Sequence, residues 1–174
     1  MLGRADTVGL FQVESAAQIQ TIKRMKPRSL EDMAIEVALV RPGVGVANST
    51  HIFLERHLGK EPVTYLHPLE KHALERTLGA LVYQDQVNQL AIDVAGFSPG
   101  EADQLRRAFG RRNGAYLIEA FHKQFIEGAV ERGVPEKIFR KINGEYMFPE
   151  SHAYAFGVTA YQSASASSHE HQQL

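Results

Sequence analysis

Four arginines fall within seven positions of one another: Arg106, Arg107, Arg111 and Arg112. Planar guanidinium forks match phosphate oxygens in pairs, so such a group could hold a polyphosphate or a nucleic-acid backbone. A simpler account also fits, because cations at the end of a helix complement its dipole. Taken alone, the four residues fit the simpler account slightly better. The element that must position them is legible. Ser98 is a natural N-cap, Pro99 suits the first helical position, and Glu101 stands where a capping box wants its acid. Ala102, Leu105, Ala108 and Phe109 give this helix one apolar face, and Gly110 can end it.

Other chemistry-bearing residues are weaker. Tyr83-Gln84-Asp85-Gln86 puts a phenol and two amides at a strand-to-helix junction. Such groups can bond a nucleotide, but they are equally normal at a helix start. Arg41-Pro42-Gly43-Val44-Gly45 has glycines but no following Lys-Ser/Thr, so it is not a phosphate-binding loop of the Walker type. Ser151 and His152 are neighbours, and neighbours on a helix point about 100° apart, so they do not make a nucleophile–base pair unaided. A helix start with serine can still offer N–H groups and a hydroxyl to a phosphate or base edge. His67 and His72, or His51 and His57, are spaced off a common helical face, which argues against a metal site. Lys23, Arg24, Lys26 and Arg28 form a second basic cluster at the end of another helix.

Composition bounds the answer. The 174 residues suit one domain or a large piece of one, and 44% hydrophobic residues can supply a core. The formal net charge is -1, so no global basic field recruits nucleic acid and any such binding must be local. There is no cysteine, which excludes disulfides and thiolate metal sites and fits a reducing cytoplasm. No apolar run reaches transmembrane length, and no signal-peptide order opens the chain.

Periodicity and capping predict a mostly α chain of about nine helices with at most a few short strands. Val8–Val13 reads as an extended entry, followed by a helix through Met25 that Pro27 stops. Ser29 with Asp32 caps a helix carrying Leu30, Met33, Ala34, Val37 and Ala38. Asn48 or Ser49 starts a helix to Leu58, and Pro68 starts one that Gly79 ends. Pro62–Leu66 and Ala80–Tyr83 are candidate strands. Gln84 to Ala95 is a helix burying Val87, Leu90, Ala91 and Val94. The longest helix is expected after Gly114, with Ile118, Phe121, Phe125 and Ala129 on one stripe, and Pro135 starts a short one. Ala153 to Ala164, almost uncharged, is expected to be buried on most faces. Residues 165–174 read as a disordered or foreign tail.

Five short motifs, in order, resemble the bacterial C-family DNA polymerases, that is, the DNA polymerase III alpha subunit and its error-prone relatives. Gly9-Leu10-Phe11-Gln12-Val13-Glu14-Ser15 resembles that family's "GVFQ-ES", and Val37 to Gly43 leads into its "RPG". Tyr83-Gln84-Asp85-Gln86-Val87 is similar to "YQEQV", and Ala95 to Gly110 to "AGYSxGxADxLRRAMGKK". Phe148-Pro149-Glu150-Ser151-His152-Ala153 is similar to "FNKSHA". The Phe-Pro-Glu-Ser-His form looks closer to the error-prone branch.

The resemblance implies that residues 1–164 are part of a helical fingers domain, following a palm that would carry the metal-binding aspartates. By itself this segment is then expected not to polymerise, and Mg2+ would be bound by the palm of the parent enzyme. Arg106 and Arg107 map onto the pair that reaches the incoming triphosphate, with Arg111 and Arg112 behind them. Ser151 and His152 map near the nascent base pair. Gln84, Gln86 and Arg41 are further candidates for DNA or nucleotide contact. The implied partners are primer–template DNA, deoxynucleoside triphosphates and the palm and thumb. Sliding clamp and mutasome or replisome proteins would join through regions outside this segment, in the cytoplasm and without a membrane. Two alternatives stay open: the fingers of a replicative alpha subunit, and a non-catalytic helical module that binds DNA or protein.

Overall fold

The structure is a computed structural model, and it describes residues 6–7, 10, 13–40, 47–109, 115–135, 137–142 and 150–170. In chain order the helices are α1 (Ala16–Met25), α2 (Leu30–Leu39), α3 (Ala47–His57), α4 (Lys71–Leu74), α5 (Gln84–Ala95), α6 (Pro99–Phe109), α7 (Ala115–Glu131), α8 (Lys137–Ile142) and α9 (Glu150–Glu170). Short 3-10 turns at Pro68–Glu70 and Glu75–Thr77 flank α4. The described residues include no β-strand, only a single bridge position at Tyr83. None of their helices is long and apolar enough to cross a membrane. The chain divides into two compact units: Met1–Glu61 with Phe148–Leu174, and Pro62–Met147.

The first unit holds α1, α2, α3 and α9. Two capping boxes open it. The Ser15 hydroxyl accepts from the Gln18 N–H at 3.3 Å while the Gln18 amide oxygen accepts from the Ser15 N–H at 3.1 Å. Ser29 and Asp32 repeat the exchange at 3.0 Å in each direction. Each box satisfies helix-end N–H groups that would otherwise lack partners. α2 is buried without a break from Met33 to Leu39 and packs on α9. From α9 come Ala153, Gly157, Ala160 and Ala164, all buried.

That seam corrects two expectations. α9 has 21 residues against 17 in α7, so it is the longest helix described. Full burial is confined to the small-residue side, while Tyr154 and Phe156 are half-buried and Val158 and Tyr161 exposed. The reason is close approach: a Cβ on Gly157 would lie 3.1 Å from the Ala34 nitrogen, so only small side chains fit between the backbones. α9 also continues through Glu170, beyond the apolar stretch itself.

The second unit is built on α5. Val87, Leu90 and Val94 meet Leu105 of α6, Phe125 of α7, and Ile138 and Phe139 of α8 in one core. Phe125 is the hub, edge-on to Phe97 at 6.0 Å and to Phe139 at 5.1 Å between ring centres. Each such contact adds about 0.5–1.5 kcal/mol beyond area burial.

Neither candidate strand forms. The Leu66 N–H is given to the Glu70 carboxylate at 2.7 Å, and the Val82 and Tyr83 N–H groups go to the Gln86 side chain at 2.8 and 2.9 Å. Side chains have taken donors that a sheet ladder would need. In the Val8–Val13 entry, the described Leu10 N–H bonds locally to the Thr7 carbonyl at 3.0 Å.

Candidate functional site

The arginine helix is built as its sequence requires. Ser98 Oγ and Glu101 form its capping box, with the Ser98 N–H 2.8 Å from Glu101 Oε2. Ala102, Leu105 and Ala108 are buried, which turns Asp103, Arg106 and Arg107 outward on neighbouring turns. The Ser98 hydroxyl, then its N–H and the Gln124 amide, hold the Glu101 carboxyl below its ordinary value. The start of the helix is therefore ionised and locked.

Asp103 organises the outward face. Its Oδ1 accepts from Nη2 of Arg106 at 2.8 Å and from Nε at 3.1 Å, while Oδ2 lies 2.7 Å from Nε of Arg107. The hydrogen bond from Arg106, reinforced by Arg107, keeps the Asp103 carboxyl below its ordinary value. Arg106 also donates from Nη1 to the Gln84 amide oxygen at 3.2 Å. The first residue of α5 thus steadies a guanidinium in the last turn of α6. Arg107 is the freer cation, with 62% of its side chain exposed against 30% for Arg106. Two guanidiniums of adjacent residues are oriented from one carboxylate, and each keeps N–H groups for an anion.

Asp103 is not among the residues that the motifs single out. Its spacing of three and four from Arg106 and Arg107 is the signal that could have found it, since those positions are neighbours on a helix.

Gln86 is held in the interior of its unit. It is buried, its Nε2 donates to the Ala73 carbonyl at 3.0 Å and to Thr77 Oγ1 at 2.7 Å, and its Oε1 accepts from Val82 and Tyr83. Both donors and both acceptor positions of the amide are spent inside the unit. Thr77 passes the connection on by donating to the Ala80 carbonyl at 2.6 Å. Of the two amides singled out in the sequence, Gln84 thus reaches Arg106 while Gln86 is bonded inside the unit.

Ser151 and His152 lie in the first turn of α9, in the other unit, and both are exposed. The His152 ring packs edge-on to Phe156 at 4.2 Å. Arg41, Arg111 and Arg112 lie outside the described residues. Among the described residues no group of three or more His, Cys, Asp or Glu could hold a metal ion.

Comparison with known proteins follows the same lines. Residues 1–133 match a family described as "Bacterial DNA polymerase III alpha subunit finger domain". An "Error-prone DNA polymerase" of Methylococcus capsulatus is 46% identical over 170 residues, covering 94% of this chain and 16% of the relative. Proteins of the same name from Sinorhizobium medicae and Vibrio parahaemolyticus are each 47% identical, with 94% of this chain covered and 16% and 17% of the relatives. The chain spans about a sixth of the length of these curated relatives.

Proposed function

Because this chain belongs to the family of bacterial DNA polymerase III alpha subunit finger domains, we propose that it forms the fingers of an error-prone DNA-directed DNA polymerase and that Arg106 and Arg107 receive the incoming triphosphate. The observation that carries the reading is the shared hold of Asp103 on both guanidiniums. A triphosphate spreads negative charge over several oxygens, and two oriented forks meet it at little further ordering cost. The error-prone branch is supported by the names of the relatives.

In this reading Asp103 and Gln84 are positioning residues. Asp103 also competes with phosphate for Arg107, so Arg107 can pivot from carboxylate to nucleotide as a substrate arrives. Such an exchange suits a finger that closes over a correctly paired nucleotide. Ser151 and His152 are exposed candidates for contact near the base pair. Primer–template DNA and the rest of the polymerase are the partners of the proposal. Mg2+ enters it only as an ion of the parent enzyme, where it would neutralise phosphoryl charge. The described residues do not fit such an ion, and no step of the proposal passes through it.

The test is steady-state kinetics of the full polymerase carrying Arg106→Ala and Arg107→Ala. Loss of one charge-assisted contact costs about 1.5–3 kcal/mol, so kcat/KM for nucleotide should fall by roughly 10- to 100-fold per arginine. Unchanged nucleotide kinetics would remove both residues from the site. The 174-residue chain alone should not extend a primer with Mg2+, and extension that copurified with it would overturn its assignment as the fingers alone.

A further inference from the structure

The first unit carries a basic cleft that the arginine helix does not explain. The end of α1, the turn into α2 and the end of α3 enclose about 340 Å³. Arg24, Lys26 and Arg28 line it as cations against one carboxylate, Asp32. That carboxylate is largely committed, its Oδ2 accepting from the Arg28 and Ser29 N–H groups at 2.8 and 3.0 Å. Arg24 is paired with Glu55 at 2.7 Å, and Glu55 also takes Lys60 at 3.4 Å. Lys26 and Arg28 are exposed and have no ion pair among the described residues. The cleft is therefore electropositive in a chain whose net charge is -1.

Its walls are not all polar. Met25, Leu58 and His57 line it beside the cations. The His57 ring is fixed, with Nε2 2.9 Å from the Met25 carbonyl and one face stacked on Phe53 at 5.5 Å. Nε2 therefore carries the proton given to that carbonyl. An apolar and aromatic wall under a cationic rim is the combination that takes an unstacked nucleotide, sugar and base inside and phosphate at the mouth. A bare anion has no use for the wall, and a duplex hides its bases.

Lys26 is the C-cap of α1. Its φ is 51°, in the left-handed region where glycine or asparagine is the cheaper residue. That conformation closes α1, with the Lys26 N–H on the Ile22 carbonyl at 2.8 Å, and it sets a lysine at the lip of the cleft where a glycine would serve the backbone equally.

We propose that this cleft seats one unpaired nucleotide of single-stranded DNA, with Lys26 and Arg28 on the phosphodiester and Met25, Leu58 and His57 against sugar and base. The proposal rests on the reading that this chain works on DNA, but it uses none of the residues assigned to the triphosphate.

Fluorescence anisotropy of the 174-residue chain with a labelled deoxythymidine oligomer tests it, alongside Lys26→Gly, Arg28→Gln and Lys123→Gln variants. Lys26→Gly relieves the left-handed cost, so its thermal midpoint should hold or rise while oligomer binding falls. Each cleft variant should weaken binding about 3- to 10-fold, the range for loss of a phosphate contact at low salt. Lys123→Gln, which removes an exposed cation outside the cleft, should bind the oligomer as the parent chain does. The proposal is overturned by no binding of the oligomer, by equal or tighter binding of a duplex, or by cleft variants that bind normally. Full displacement by millimolar inorganic phosphate would mean a small-anion site and would also overturn it. If the cleft variants bind normally while Arg106→Ala and Arg107→Ala lose nucleotide use in the full polymerase, the cleft alone is wrong and the triphosphate reading stands.

Discussion

The Gln84 amide oxygen accepts from Nη1 of Arg106 at 3.2 Å, joining positions 22 apart in the chain. It ties the start of α5 to the last turn of α6, where the guanidinium is already held by Asp103. Removing it leaves the fold alone and takes away one of two holds on that guanidinium. In the full polymerase, Gln84→Ala should raise nucleotide KM about 2- to 12-fold, the range of an ordinary hydrogen bond at about 0.5–1.5 kcal/mol, because Asp103 still holds the guanidinium. It should leave kcat within a factor of two. An unchanged KM would show that Arg106 needs no hold from α5.

Gln86, two residues on, behaves oppositely. Gln86→Leu strands the Val82 and Tyr83 N–H groups and the Ala73 carbonyl in the interior. Each stranded group costs about 1–3 kcal/mol. Urea unfolding should therefore show a loss of several kcal/mol, while Gln84→Ala falls within about 1 kcal/mol of the parent. Equal midpoints for the two variants would contradict the structural assignment of Gln86.

Glu36 lies within α2, fully buried, and neither carboxyl oxygen has a hydrogen-bond partner among the described residues. Burial pushes its pKa up to about 8 from an ordinary 4.5. The folded state thus holds this proton where the unfolded chain has released it. The contribution to stability is complete below about pH 4.5, declines as pH rises, and is gone above about pH 8. The decline should run at about 1.4 kcal/mol per pH unit within that window. Denaturation across it should show the slope in the parent chain and a flatter profile in Glu36→Gln. Identical slopes would place the titrating group elsewhere.

Three glycines should rank by what a methyl group would meet. On Gly128 of α7 a Cβ would run into the Ala95 carbonyl oxygen and lie 2.9 Å from its carbon, with backbone as the obstacle. Gly128→Ala should cost about 2 kcal/mol or more, as overpacking does. Gly157→Ala, at 3.1 Å from the Ala34 nitrogen, should cost less. Gly100→Ala meets nothing within 4 Å and should stabilise α6 by a few tenths to 1 kcal/mol. Thermal midpoints in any other order would mean that the α5–α7 approach is looser than it stands here.

Much of the helical frame was legible in the residues because its signals are local. Ser29 and Ser98 each cap the helix they precede, and α5 runs from Gln84 to Ala95, the bounds its pattern sets. A capping box spans four residues, so no distant partner is needed to recognise it. The family, too, is carried by short motifs that survive without knowledge of the fold.

What only tertiary structure decided is how each outward or inward face is used. Sequence placed Arg106 and Arg107 on one helix, but a residue on another helix, Gln84, supports the first of them. Gln84 and Gln86 looked alike as amides at a helix start, yet one reaches an arginine and the other is consumed inside the unit. The apolar run of α9 promised burial on most faces, but α2 comes so close that only the alanine and glycine side is fully buried. Capping depends on neighbours in the chain. Satisfaction of a buried amide, and which helical face is covered, depend on groups brought there by folding, and no local pattern encodes their arrival.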